Sequence, residues 1–302
     1  ETTEIALLLL EAGCPGDAQN LKGEAPVHLA AGRGFSSVIR LLAWVADVTS
    51  VDAAGNSALH WCLKATFRHN EEACLQTAQL LVEVGCPPDL PNSLGETPLH
   101  LAASSGFDSV IDLILTQGAN PASVDNGGDS ALHRCLSAPA LQEDVCLKLV
   151  QRLVKAGCPT CIPNSRGKTP MHLASSRGFA LVVLFLLDHD STQMPHDIVL
   201  HVKGLACLCL VLERRAKVLT TSAAEDTALH TLFHSTWPGY EDALEMARIL
   251  VDAGCDVNAR NSEGKTPLHY AVLRDVRAVQ FLLNAGACLP NDIIPTVLSH
   301  PQ

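Results

Sequence analysis

The segment TPLHLAASSGFDSVIDLILTQGAN, residues 97–120, reads as one complete structural unit. Thr97 is a helix N-cap whose hydroxyl can accept an orphan backbone N–H, and Pro98 suits the first helical turn, where no donor is needed. Leu99 points inward, while Ala102 and Ala103 leave room for a neighbouring helix to come close. Gly106 can take the left-handed conformation that a short turn demands. Val110, Ile111, Ile114 and Leu115 then fall at helical spacing, and Gly118 closes the second helix. The unit is a pair of helices, A and B.

Copies of this unit fill the chain, and a fixed period overrides any single-domain expectation from length. One form appears as APVHLAA at 25–31, TPMHLAS at 169–175 and TPLHYAV at 266–272. A second form alternates with it, as SALHWCL at 57–63, SALHRCL at 130–136 and TALHTLF at 227–233. The motif histidines are His28, His60, His100, His133, His172, His230 and His269, and the gap of 58 before His230 is twice 29. DIVLH at 197–201 stands at its midpoint, so His201 marks a degraded eighth copy. Alternate histidines lie 72 or 73 residues apart through the first two thirds, so the repeating unit is a doublet.

These residues resemble the ankyrin repeat, most closely in GCDVNARNSEGKTPLHYAV at 254–272. The resemblance covers nearly the whole chain. It implies an all-α fold, an ankyrin-repeat α-solenoid of antiparallel helix pairs with projecting β-turn fingers and a concave face built by fingers and helix A. It also assigns the motif histidine to bonds that tie the turn to helix A. The expected organisation is regular doublets over 1–187, an irregular repeat over 188–224, and further repeats over 225–302 with the last one incomplete. Residues 2–14 have the form of a helix B without its helix A, and 291–302 look like the opening of another repeat. Native arrays end in polar capping units, so the expectation is an internal segment with flanking domains in the same chain.

In the S-A-L-H or T-A-L-H copies, six or seven residues are added between helix A and the end of helix B. The added segments are 67–73, 138–144 and 235–242, each ending in paired acids suited to a helix N-terminus. A lengthened loop and a slightly extended helix B fit this pattern. Such loops would form a ridge on every second repeat, with Phe67, Arg68, His69, Leu141, Trp237 and Tyr240 as candidate contacts. Large aromatics often anchor interfaces, although Trp237 could equally fold back onto its own repeat.

Bulk properties exclude several functions. The chain has 21 basic and 32 acidic residues, a formal charge of -11, which repels phosphate backbones and anionic lipid. Neither nucleic acid nor a membrane is an expected partner. The most apolar run, IVLHVKGLACLCLVL at 198–212, contains His201 and Lys203 and is too short to span a bilayer, so it is expected to be a buried helix.

Twelve cysteines and thirteen histidines raise the question of metal or catalysis. Cys14, Cys86, Cys158 and Cys255 follow the Gly that closes helix B, while Cys62 and Cys135 take the first Ala slot after the histidine. Free Cys is a small hydrophobe that suits a packed interior. Equivalent slots in adjacent repeats would lie about 8–10 Å apart, too far for a disulfide or a shared zinc. Reduced, buried thiols point to the cytoplasm or nucleus. CPTC at 158–161 is a lone C-x-x-C and lacks a second pair. The reading is therefore no cofactor, no metal, no catalytic residues and no enzyme.

What remains is a protein-binding scaffold. In the family, specificity lies in the fingers and just after the two Ala positions. Mapped here, these are Lys22, Glu24 and Arg33; Asn56 and Lys64; Leu94, Glu96 and Ser105; Asp129; Arg166, Lys168 and Arg177; and Glu263, Lys265 and Arg274. The basic island at 166–177 suits an acidic peptide. Two alternatives stay open, a spacer between flanking domains and a metal-binding protein. Leu250 stands eight residues before Asn258, a pattern resembling that of ankyrin-repeat asparagines hydroxylated by an oxygen-dependent dioxygenase.

Overall fold

A computed structural model of the chain describes residues 2–64, 71–189, 194–195, 197–214, 220–234 and 240–294, the side chains of 240 and 241 excepted. The fold is all-α: the described residues form sixteen α-helices and one 3-10 turn, with no β-strand. None of these helices is long and apolar enough to cross a membrane. The chain divides into two compact units, Glu1–Pro170 and Met171–Gln302.

The first unit opens with helix Thr2–Glu11, followed by four A/B pairs. These are Pro26–Arg33 with Ser36–Val45, Ala58–Lys64 with Glu71–Glu83, Pro98–Ser105 with Asp108–Thr116, and Ala131–Ser137 with Glu143–Lys155. Helix Pro170–Arg177 starts at the junction and pairs with Ala180–His189 as the fifth repeat. The sixth repeat is the 3-10 turn Ile198–His201 with helix Leu205–Glu213. Ala228–His234 with Tyr240–Asp252, then Pro267–Ala271 with Val276–Asn284, are the seventh and eighth.

Side-chain size decides how the pairs nest. Ala30, Ala31, Ala58, Ala102, Ala103 and Ala131 are at most 4% exposed, and at these positions successive A helices meet. A Cβ on Gly32 would lie 3.2 Å from the Trp61 ring, so the missing side chain is what admits the indole. Between the A and B layers, Leu59, Leu81, Ile111, Leu132 and Leu149 are fully buried. Each contributes roughly 1.5–3 kcal/mol relative to an exposed position.

The doublet shows in the B helices. Those of the second, fourth and seventh repeats have 13 residues, against 9 or 10 elsewhere. Part of the added sequence is therefore helix. Glu71 at the start of one long helix also reaches its neighbour, because its Oε1 accepts the Ser109 N–H at 2.7 Å in the first turn of the third repeat's helix B.

The run 198–212 corrects the sequence reading. In place of one buried helix, the 3-10 turn ends at His201 and a new helix starts at Leu205, with Gly204 between them at φ 91. A side chain rarely adopts that conformation, so the break is built into the sequence.

Between pairs lie the fingers, each a tight turn of five residues. Asn20–Glu24, Asp52–Asn56, Asn92–Glu96, Asp125–Asp129, Asn164–Lys168, Ser222–Asp226 and Asn261–Lys265 share one pattern, in which the first residue's N–H donates to the fifth residue's carbonyl at 2.9–3.1 Å. The fourth residue takes positive φ and is glycine in six fingers. In the finger before the seventh repeat it is Glu225, at φ 61.

Candidate functional site

The motif histidines are structural ties. Ala25, Ser57, Thr97, Ser130, Thr227 and Thr266 each donate a backbone N–H to Nδ1 of the histidine three residues on, at 2.9–3.2 Å. With Nδ1 accepting, the proton sits on Nε2, which donates to the segment that follows. His60, His100, His133 and His230 reach the carbonyls of Glu96, Asp129, Lys168 and Lys265 at 2.8–3.0 Å, the last residue of the next finger in each case. His28 reaches the Ser50 carbonyl at 3.1 Å. Burial pushes the imidazoles of His28, His100, His133 and His230 below their ordinary value, and that of His60 down to about 4. They are neutral tethers, and the repeats leave them no spare nitrogen for catalysis.

Successive fingers are strapped by single backbone bonds. The N–H groups of Ala53, Ser93, Asn126 and Ser165 donate to the carbonyls of Lys22, Ala54, Leu94 and Gly127 at 2.9–3.0 Å. In the second unit Ser262 donates to Ala224 at 3.0 Å. The second residue of one finger thus meets the third residue of the finger before it. A Cβ on Gly55 would come 2.9 Å from the Ser93 nitrogen, which shows how closely the backbones pass.

Beneath the straps in the first unit runs a polar strip. Asn92 Nδ2 donates to Asn56 Oδ1 and Glu96 Oε2, both at 3.0 Å. Lys64 Nζ donates to the same Asn56 oxygen at 2.9 Å. The Arg134 guanidinium bridges Glu96 at 2.6 Å and Asp125 at 2.7 Å. Asn164 continues the strip to Asp129 at 2.7 Å. Burial opposes the charge of Glu96, yet Asn92, Arg134 and Lys64 outweigh it and hold the carboxyl below its usual range.

The candidate contact residues fall into distinct groups against this frame. Asn56 and Glu96 are 8% and 7% exposed and belong to the internal strip, which corrects their reading as partner contacts. Glu24, Asp129, Lys168, Lys265, Arg274, Arg177 and Ser105 are half-buried. Several of them are engaged within the array: Glu24 accepts from Asn20 of its own finger at 2.7 Å, the Arg177 guanidinium lies 4.2 Å over the Phe179 ring of its own repeat, and Arg274 donates to the His234 carbonyl of the repeat before it at 2.6 Å. Lys22, Arg33, Lys64, Leu94, Arg166 and Glu263 are exposed. Lys22, Leu94, Arg166 and Glu263 occupy the third position of their fingers, whose backbone carbonyl carries the strap in the first two cases.

The expanded loops are seen through one member. Phe67, Arg68, His69 and Trp237 lie outside the described residues, as does the side chain of Tyr240. In the loop 138–142, Leu141 is 8% exposed and points inward, so close to Gly106 that a Cβ there would meet it at 2.7 Å. Leu141 therefore seals the preceding repeat's turn, which corrects its reading as a loop contact, and the exposed residues of this loop are Pro139, Ala140 and Gln142.

Three anchors escape the sequence reading. Trp61, Arg134 and Tyr270 each follow a motif histidine and bond the first residue of their own finger: Trp61 to Asp52 at 2.9 Å, Arg134 to Asp125 at 3.0 Å, and Asn261 to the Tyr270 hydroxyl at 3.0 Å. The available signal is a large polar-tipped side chain directly after the histidine.

All twelve cysteines are free thiols; eight are buried, Cys161 and Cys209 half-buried, and Cys14 and Cys288 exposed. Cys14 thus departs from the buried reading. Burial pushes the Cys86, Cys158 and Cys255 thiols up, away from reactivity. Some cysteines meet within a repeat instead of between repeats: the Cys62 and Cys74 sulfurs lie 3.4 Å apart, and Cys146 Sγ lies 3.7 Å from the Cys135 carbonyl. Asn258 is engaged at both ends of its amide, donating to the Gly286 carbonyl at 3.0 Å and accepting from Cys288 N–H at 2.7 Å. A modifying enzyme gains that side chain only by breaking both bonds.

In the second unit two motif histidines meet carboxylates. His172 Nε2 lies 2.9 Å from Asp197 Oδ1, and His269 Nε2 lies 3.2 Å from Asp292 Oδ1. Asp197 also lies 3.3 Å from His201 Nε2.

Comparison with known proteins agrees with this geometry. A family model described as ankyrin repeats (3 copies) matches residues 69–151 and 196–292. The B-cell lymphoma 3 protein homolog of Mus musculus is 28% identical over 78% of this chain and 52% of its own length. Ankyrin repeat and SOCS box protein 16 of Homo sapiens is 28% identical over 96% of this chain and 56% of its own. The E3 ubiquitin-protein ligase KEG of Arabidopsis thaliana is 25% identical over 90% of this chain and 17% of its own. The chain spans about half the length of the first and second of these relatives, and less of the third.

Proposed function

The chain belongs to the ankyrin-repeat family, and from that premise we propose that it is a non-catalytic scaffold whose finger tips dock a partner protein or peptide. The observation behind this reading is the division of labour within each finger. First, second, fourth and fifth positions are used by the turn, the strap, the left-handed bend and the histidine bond, while the third position leaves its side chain free to vary. In the first unit that position is Lys22, Ala54, Leu94, Gly127 and Arg166, so the tips present two cations and one large apolar side chain, separated by small residues, on a chain of net charge -11. An acidic partner segment with apolar anchors suits that tip chemistry, and interfaces of this kind draw their energy from few residues. The bonding of the motif histidines and the raised thiols favour a scaffold over an enzyme, and the cysteine usage favours a cytoplasmic or nuclear setting.

The test is site-resolved photocrosslinking in cell extract, with the crosslinker at position 22 on a finger tip or at the exposed position 40 on helix B of the first repeat. A partner should couple from position 22, and Leu94→Asp with Arg166→Glu should abolish the product. Equal yield from both positions, or yield indifferent to the double variant, would remove the finger tips as the docking surface.

A further inference from the structure

We propose that His172, Asp197 and His201 form a binding site for a divalent transition metal of zinc-like preference, at the irregular sixth repeat. Among the described residues this is the one group of three His, Cys, Asp or Glu whose ligand atoms all lie within 4.8 Å of one another. His172 Nε2 and Asp197 Oδ1 are 2.9 Å apart, and His201 Nε2 and Asp197 Oδ2 are 3.3 Å apart. Tetrahedral zinc with bonds near 2.0–2.2 Å sets neighbouring ligand atoms roughly 3.3 Å apart, so two of the three spacings already suit an ion. The third edge joins the imidazoles, whose ring centroids lie 5.1 Å apart edge to face, and the His201 side chain is 28% exposed.

An ordinary hydrogen bond accounts for only half of this arrangement. Four motif histidines give Nε2 to the last carbonyl of the next finger, whereas His172 Nε2 meets the Asp197 carboxylate. The pair His269–Asp292 shows that substitution by itself, with Asp292 70% exposed. The sixth repeat adds a second imidazole on the same carboxylate, delivered because the 3-10 turn places His201 four residues after Asp197. Two imidazoles and a carboxylate are ligands that borderline metals accept, whereas calcium and magnesium prefer oxygen alone. His201 also lines a cavity of 170 Å³ with Lys203, Leu232 and Met246, so its ring is reached from a space on one side. A bound ion would tie helix A of the fifth repeat to the 3-10 turn that opens the sixth.

The test uses the full chain and the metals alone. Titration with Zn²⁺ should show one equivalent bound and a raised melting temperature, and Co²⁺ should give d–d bands without the thiolate charge-transfer band of a cysteine site. His201→Gln and Asp197→Asn should each weaken binding more than about tenfold, roughly 1.4 kcal/mol, with circular dichroism unchanged. Asp292→Asn should leave affinity as it was. Absence of uptake, a thiolate spectrum, or affinity unmoved in His201→Gln would each overturn the assignment.

Discussion

His60 Nε2 lies 2.8 Å from the Glu96 carbonyl, thirty-six residues along the chain, while its Nδ1 holds the Ser57 N–H of its own helix. One ring therefore joins two repeats, and it can do so only while neutral. A proton on Nδ1 would turn an acceptor into a second donor facing an N–H.

Acid should weaken the fold through this joint. The folded pKa of His60, about 4, lies below its ordinary 6.5, so between those values the unfolded chain holds the extra proton. Stability is complete above pH 6.5 and is lost as pH falls toward 4, by on the order of 3 kcal/mol for His60 alone. His28, His100, His133 and His230 shift in the same direction and add to the slope. Urea midpoints between pH 7 and 4.5 should drop, and less steeply in His60→Gln; a flat profile would contradict the tie.

Glu225 stands where six other fingers have glycine, at φ 61. An L-residue in that region costs about 1–2 kcal/mol, partly offset by the greater freedom glycine has when unfolded. Glu225→Gly should therefore raise stability by about 1 kcal/mol, and Glu225→Ala should not. A melting temperature lowered by the glycine would refute the strain.

Gly55 and Gly264 share φ 73, but only Gly55 faces a neighbour, the Ser93 nitrogen at 2.9 Å from its would-be Cβ. Gly264→Ala should cost about 1 kcal/mol from the dihedral alone. Gly55→Ala should cost clearly more, because the strap from Ser93 must also open. Equal losses in denaturant titrations would mean that the fingers separate freely.

Leu141 covers Gly106, so Leu141→Ala should destabilise by about 2 kcal/mol through the gap it leaves. The exposed Pro139 in the same loop should tolerate Ser within about 0.5 kcal/mol. A neutral Leu141→Ala would return this loop to the list of docking surfaces.

Local chemistry made the helix pairs and fingers legible: Pro98 after Thr97 starts a helix, Gly106 and Gly118 end one, and Ala102 and Ala103 mark where helices meet. The motif histidine's role followed from family resemblance, and its bonds agree with it. Contacts set by register between repeats were harder to read. Arg134 reaches Glu96 thirty-eight residues away, and nothing in the local pattern distinguishes that from a solvated charge. Glu96 and Asn56 look like surface residues because their own finger is exposed, yet the neighbouring repeat covers them. Cys62 and Cys74 escaped notice because comparing like positions in adjacent repeats ignores unlike positions within one. The break at Gly204 was hidden by a continuous apolar run, whose hydropathy does not distinguish one helix from two pieces.

Each finger junction of the first unit carries one backbone bond, joined at several of them by a side-chain link such as Asn92 to Asn56 or Asn164 to Asp129, and that sparse bonding has a mechanical meaning. A load applied along the first unit would meet the strap bonds in series, so each junction could yield alone and re-form when the tension eased. Such a chain of weak links would act as a spring, lengthening along the finger edge without surrendering the packed helices behind it.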